Sequence, residues 1–101
     1  LIKHKESKKM ADAHYWLGRV YFAQKKFEEA AIALAEFNSV FPNDPRFQET
    51  TLLIAESAVN FAPQEQLCDI LKQSLEFMVN PSDRFIKRIN ILKNKKQCTS
   101  G

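Results

Sequence analysis

Apolar side chains recur along this chain at intervals of three and four, broken at regular distances by turn-forming residues. That spacing predicts five helices. The first runs from about Lys8 to Gln24, with Ala11, Tyr15, Leu17, Gly18, Tyr21 and Phe22 on two adjoining faces. The second, about Phe27 to Phe41, carries Ala30, Ala31, Leu34, Phe37 and Val40, and its first turn holds Glu28 and Glu29, where the helix dipole favours acids. A third covers about Arg46 to Phe61. A fourth covers about Gln64 to Val79, with Pro63 placed to open it. Asn80-Pro81-Ser82-Asp83 reads as a turn whose Ser or Asp caps a fifth helix, ending near Lys95, with Phe85, Ile86, Ile89 and Leu92 on one stripe. Nothing between these segments alternates as a strand does, so the expected class is all-α.

The helices also repeat. Leu17-Gly18-x-x-Tyr21, small Ala30 twelve residues after Gly18, Leu34 four further on and Pro42 at the end form the pattern of a tetratricopeptide (TPR) repeat. Gly18 costs about 1 kcal/mol against alanine inside a helix, so its place there points to a close approach by the partner helix. Two departures are visible: His14 stands at the usual aromatic position, and Lys25-Lys26 replaces a turn with a glycine, which would have eased a positive φ. An interval of 37 brings Ala55 opposite Gly18 and Leu71 opposite Leu34. The expected architecture is a TPR helical-hairpin solenoid of about two repeats with a C-terminal capping helix. Residues 1–7 read as the end of a truncated preceding repeat, 8–44 as the first repeat and 45–81 as a divergent second one. The cap covers 82–96, apolar inward and Arg/Lys outward, and 97–101 reads as a disordered tail.

Composition adds bounds. The 101 residues suffice for one domain with a modest core, and no apolar run approaches the roughly 20 residues of a membrane span. The net charge of +3 is uneven. Residues 1–9 and 84–96 hold ten of the fifteen Lys and Arg, while eleven of the twelve acids lie elsewhere or between them, Glu6 excepted. Basic ends without an aromatic stacking motif read as solvated faces, and no nucleic-acid partner is expected. Cys68 reads as a buried apolar residue and Cys98 as a tail thiol, too few and too unpatterned for a metal site or a disulfide. His4 and His14 have no metal-ligand spacing, Cys68 in an apolar stripe is no partner for His14, and two glycines cannot make a phosphate loop. No catalytic residue, metal or cofactor is expected.

One family fits the details. Asp12-Ala13-His14-Tyr15-Trp16-Leu17-Gly18-Arg19-Val20-Tyr21-Phe22-Ala23-Gln24 resembles the C-terminal TPR domain of the Tol–Pal-associated cell-division coordinators (YbgF/CpoB). Phe41-Pro42-Asn43-Asp44 and Leu67-Cys68-x-x-Leu71-Lys72-Gln73 are similar to its turn and a later helix. The resemblance covers roughly residues 1–92 and is loose after residue 45, where Ala62-Pro63-Gln64 departs from the family's Leu-Gly-Asp. It implies an exported, periplasmic protein with an N-terminal coiled coil that forms homo-oligomers. It also implies a TPR part that binds proteins, coordinating outer-membrane constriction with peptidoglycan synthesis. The alternative is a cytosolic TPR adaptor that takes a peptide or partner helix. Placed on the repeat pattern, the partner-binding groove falls on Asp12, Tyr15, Arg19 and Phe22, and on Glu49, Leu52, Glu56 and Asn60 of the second repeat. Tyr15 and Phe22 would cover apolar partner surface, with Arg19 and Asn60 orienting carbonyls or carboxylates.

Overall fold

The computed structural model describes residues 2–98, with side-chain surroundings described from Lys8 onward. Five helices follow in order: α1 Ile2–Ala23, α2 Phe27–Val40, α3 Phe47–Ala58, α4 Gln64–Phe77 and α5 Asp83–Lys95. They stack sequentially, α1 on α2, α2 on α3, then α3, α4 and α5 on one another. The result is an elongated body of 48 × 30 × 19 Å. Starts 27 and 64 and ends 40 and 77 put α4 an interval of 37 after α2, the period read from the sequence.

The first hairpin closes through small residues. An added Cβ at Gly18 would lie 2.5 Å from both Cγ and Cδ2 of Leu34, a side chain with no exposure at all. Ala30, Ala31 and Ala33 are buried beside it, so α2 approaches α1 as closely as the glycine permits. Toward the start of α1, Ala11, Tyr15 and Phe37 form a second buried group against Phe41. The larger core lies in the second hairpin, where Ala55, Ala58, Leu67, Leu71, Phe85, Ile89 and Leu92 pack together. Leu92 follows Ala55 by 37 positions, as Ala55 follows Gly18, so α5 occupies the place of a third repeat's first helix.

Helix ends follow local chemistry. The Ser82 hydroxyl accepts from the Phe85 N–H at 3.0 Å and caps α5, with Asp83 in the first turn and Lys93 and Lys95 in the last. α1 ends at Lys25 in the left-handed region (φ 62°), where the Lys25 N–H donates to Phe22 O and the Lys26 N–H to Tyr21 O. α5 ends the same way at Gln97 (φ 59°), with the Gln97 N–H on Asn94 O and the Cys98 N–H on Lys93 O at 2.8 Å. Both are Schellman turns, built without the usual glycine.

Two sequence expectations change. Residues 2–7 are not the end of a separate preceding helix, because α1 is continuous from Ile2; no Gly or Pro between 2 and 17 offers a stop. Leu1 lies outside the described residues. Cys98 is not a free tail thiol: the Schellman turn folds the chain back onto α4, and Cys98 is disulfide-bonded to Cys68 across 30 residues. Gln97 and Cys98 are thereby fixed, while residues 99–101 of the expected disordered tail lie outside the described residues.

Ser57 Oγ is wholly buried and finds no hydrogen-bond partner among the described residues. A buried hydroxyl left unpaired costs about 1–3 kcal/mol. Ser57→Ala is therefore expected to raise stability by about 1 kcal/mol, measured as an upward shift of the denaturation midpoint at unchanged m-value.

Candidate functional site

α1, α3 and α5 are the first helices of successive units, and their facing sides form the concave surface of the stack. Two clefts run along it. One, of about 570 Å³, is lined by Arg19, Glu49, Leu52, Glu56, Arg84 and Phe85 among others. The second, of about 400 Å³, is bounded by Phe22, Phe27, Val59, Asn60, Arg88 and Lys95 and shares Glu56 with the first. Half-buried Leu52, Leu53 and Val59 lie deep in the clefts beside half-buried Gln48 and Glu56, and exposed charged residues stand at the rims.

Most polar groups predicted for this groove are already engaged with each other. Arg19 Nη1 donates to Glu49 Oε2 at 2.8 Å and to the Tyr15 hydroxyl at 3.1 Å, and Tyr15 donates to the same Glu49 carboxylate. Glu56 accepts from Arg88 Nε at 2.6 Å. The Asn60 amide donates to Glu56 O at 3.0 Å. Asp12 is turned to Arg46, 2.9 Å from its Nη1. Arg46 meanwhile grips Asp44 with Nε and Nη2 at 2.9 and 3.0 Å and lies 4.7 Å over the Tyr15 ring. One guanidinium thus ties the turn after α2 to α1 and covers the buried aromatics. Those hydrogen bonds hold the Asp44 carboxyl below the usual carboxylate range and push Arg46 further up.

The sequence-predicted residues therefore divide. Phe22, Leu52 and Glu56 are half-buried in the cleft walls, and Arg19, Glu49 and Asn60 stand at the cleft rims. Tyr15 is a correction. It is only 6% exposed, its ring enclosed by Phe37, Trp16 and Arg46, so it braces α1 against α3 and offers no surface to a partner. Asp12 lies outside the two clefts, on the far side of the same brace. Missed from the sequence were Lys25 and the α5 contributors Arg84, Arg88 and Lys95. Their signal is the 37-residue interval carried one step further, which makes α5 a groove helix as well as a cap.

Burial, and after it the hydrogen bond to Glu49, raises the Tyr15 pKa above its ordinary value near 10. A raised folded-state pKa means that the contribution is complete below the unfolded value and is lost as pH rises through the folded one. Wild type is expected to lose more stability than Tyr15→Phe between about pH 9 and 11, compared by denaturant titration at each pH.

Among the described residues no group of three His, Cys, Asp or Glu side chains could hold a metal ion, and no helix is long and apolar enough to cross a membrane. Cys68 is tied to Cys98. Comparison with known proteins gives one family: residues 4–53 match the tetratricopeptide repeat model. No curated protein and no solved structure gives a match. The matched segment covers α1 from residue 4, all of α2 and α3 as far as residue 53, that is, the hairpin closed by Gly18 and the start of the next unit. TPR units are a non-catalytic fold for binding proteins. With its hairpins stacked at a fixed interval and its first helices facing one concave side, the chain is an all-α tetratricopeptide helical-hairpin solenoid.

Proposed function

We propose that this chain is the partner-binding module of an exported, periplasmic protein similar in role to the Tol–Pal-associated cell-division coordinators. Its groove takes a segment of another protein, and it helps coordinate outer-membrane constriction with peptidoglycan synthesis. The observation that carries the binding role is the concave groove between α1, α3 and α5 on a TPR stack, with Phe22, Leu52, Leu53 and Val59 half-buried in it. Support for the compartment is independent of the sequence resemblance. Disulfides persist in oxidising places such as the periplasm and are rare in the cytosol, and Cys68–Cys98 closes the second half of this fold. Support for the family role is the Tyr-Trp-Leu-Gly-x-Val-Tyr-x-Ala-Gln run of residues 15–24.

The test is photo-crosslinking in cells from positions Phe22 and Leu52 of the intact protein, with the captured species identified by mass spectrometry. Capture of Tol–Pal or peptidoglycan-synthesis proteins, with Cys68 and Cys98 resistant to alkylation until reduced, supports the proposal. Capture of cytosolic proteins alone by a chain with free thiols overturns it and leaves a cytosolic TPR adaptor.

A further inference from the structure

The charges along the groove do not balance, and the imbalance describes the partner. Two acids line it, and each already has its own cation: Glu49 is paired with Arg19 at 2.8 Å and Glu56 with Arg88 at 2.6 Å. Three further cations line the same clefts, namely Lys25 at the end of α1 and Arg84 and Lys95 on α5. None of these three has an acid within ion-pair distance among the described residues. All three are exposed, whereas Leu52, Leu53 and Val59 between them are half-buried, beside the half-buried and already paired Glu56. A cleft lined by one sign of uncompensated charge concentrates counter-charges, and its low-dielectric walls strengthen the field.

Resting on the reading that this groove binds protein, we propose that its occupant is an acidic segment of a partner, anchored by apolar side chains between carboxylates. Geometry sets a spacing. Arg84 and Lys95 are eleven residues apart on one helix, about 16 Å at 1.5 Å per residue. Carboxylates reaching both are separated by about five residues in an extended segment or about eleven in a helical one. Apolar residues between them meet Leu52 and Val59. A basic segment would have to displace Arg19 or Arg88 from its glutamate, and that arrangement already satisfies both acids without a partner.

The experiment is selection of random peptides displayed on phage against the immobilised, oxidised chain, followed by fluorescence anisotropy with the recovered peptides. Three variants serve: the charge reversals Arg84→Glu and Lys95→Glu combined, the groove block Asn60→Trp, and Glu36→Lys on α2 as a control away from the groove. Circular dichroism and thiol titration verify that each is folded and oxidised. The expected result is recovery of net-negative peptides whose affinity falls at least about tenfold in the reversal variant and on raising salt from about 50 to 500 mM, with Glu36→Lys unchanged. Neutral or basic peptides lost only on Asn60→Trp would overturn the acidic assignment and keep the groove. Peptides indifferent to both groove variants would overturn the groove reading too.

Discussion

Replacing Cys68 and Cys98 together by serine is expected to lower stability by about 3–4 kcal/mol. The bridge closes a loop between positions separated by 30 residues, and opening it returns that loop's entropy to the unfolded chain. What the loop contains explains why the loss is concentrated. It runs from early in α4, through the turn at Asn80, to the end of α5, so the bridge fixes the last helix against the larger core. For a chain of this size the melting temperature should fall by more than about 10 °C. Wild type melted in reductant should coincide with the double-serine variant, and the groove wall formed by α5 should exchange amide protons faster in both. A loss below about 1 kcal/mol would mean that the Schellman turn and the packing of Leu92 hold the chain end without the bridge.

Gly18→Val has an expected loss of about 2–3 kcal/mol. The first added carbon already meets Leu34 Cγ and Cδ2 at 2.5 Å, and Leu34 is fully enclosed, with no open space into which to swing. Valine recovers little in helix propensity over glycine, whereas alanine would recover about 1 kcal/mol and hide part of the clash. A double-mutant cycle isolates the contact. Leu34→Ala alone should cost about 2–5 kcal/mol through the cavity it leaves. In that background the valine at 18 fills space in place of clashing, so the two losses should sum to much more than the double variant shows. Additive losses would mean that the glycine is there for a reason other than the approach of α2.

Gly18 was legible from sequence because a glycine flanked by Leu17 and Tyr21 in a periodic apolar run has few other uses. The five helices were legible for the same reason, their apolar spacing being unbroken between strong turn signals at Pro42-Asn43-Asp44-Pro45 and Asn80-Pro81. The disulfide was not. Whether Cys98 meets Cys68 depends on Gln97 adopting a left-handed φ, a tertiary choice that no local preference of glutamine announces. The groove was half legible. Repeat position found the first helices, but it could not tell that Tyr15 and Arg19 both reach Glu49, 34 and 30 residues away. Such pairs join neighbouring units at about one repeat length, so they become visible only once the stack is known. Arg88 with Glu56, 32 apart, joins the next two units with the order reversed, the glutamate on the earlier helix and the arginine on the later one.

That repetition also gives the concave face its character. At each step an arginine neutralises a glutamate, and the charges left over are those that a partner can use. Backbone ¹⁵N NMR of the oxidised chain, titrated with the partner segment captured from cells, tests this directly. The predicted result is shift changes clustered at Phe22, Leu52, Val59, Asn60, Arg84 and Lys95, with Ile32 and Glu36 on the opposite side of α2 unmoved. Shifts confined to Ile32, Glu36 and their neighbours would contradict it, and the groove between α1, α3 and α5 would then not be where this protein meets its partner.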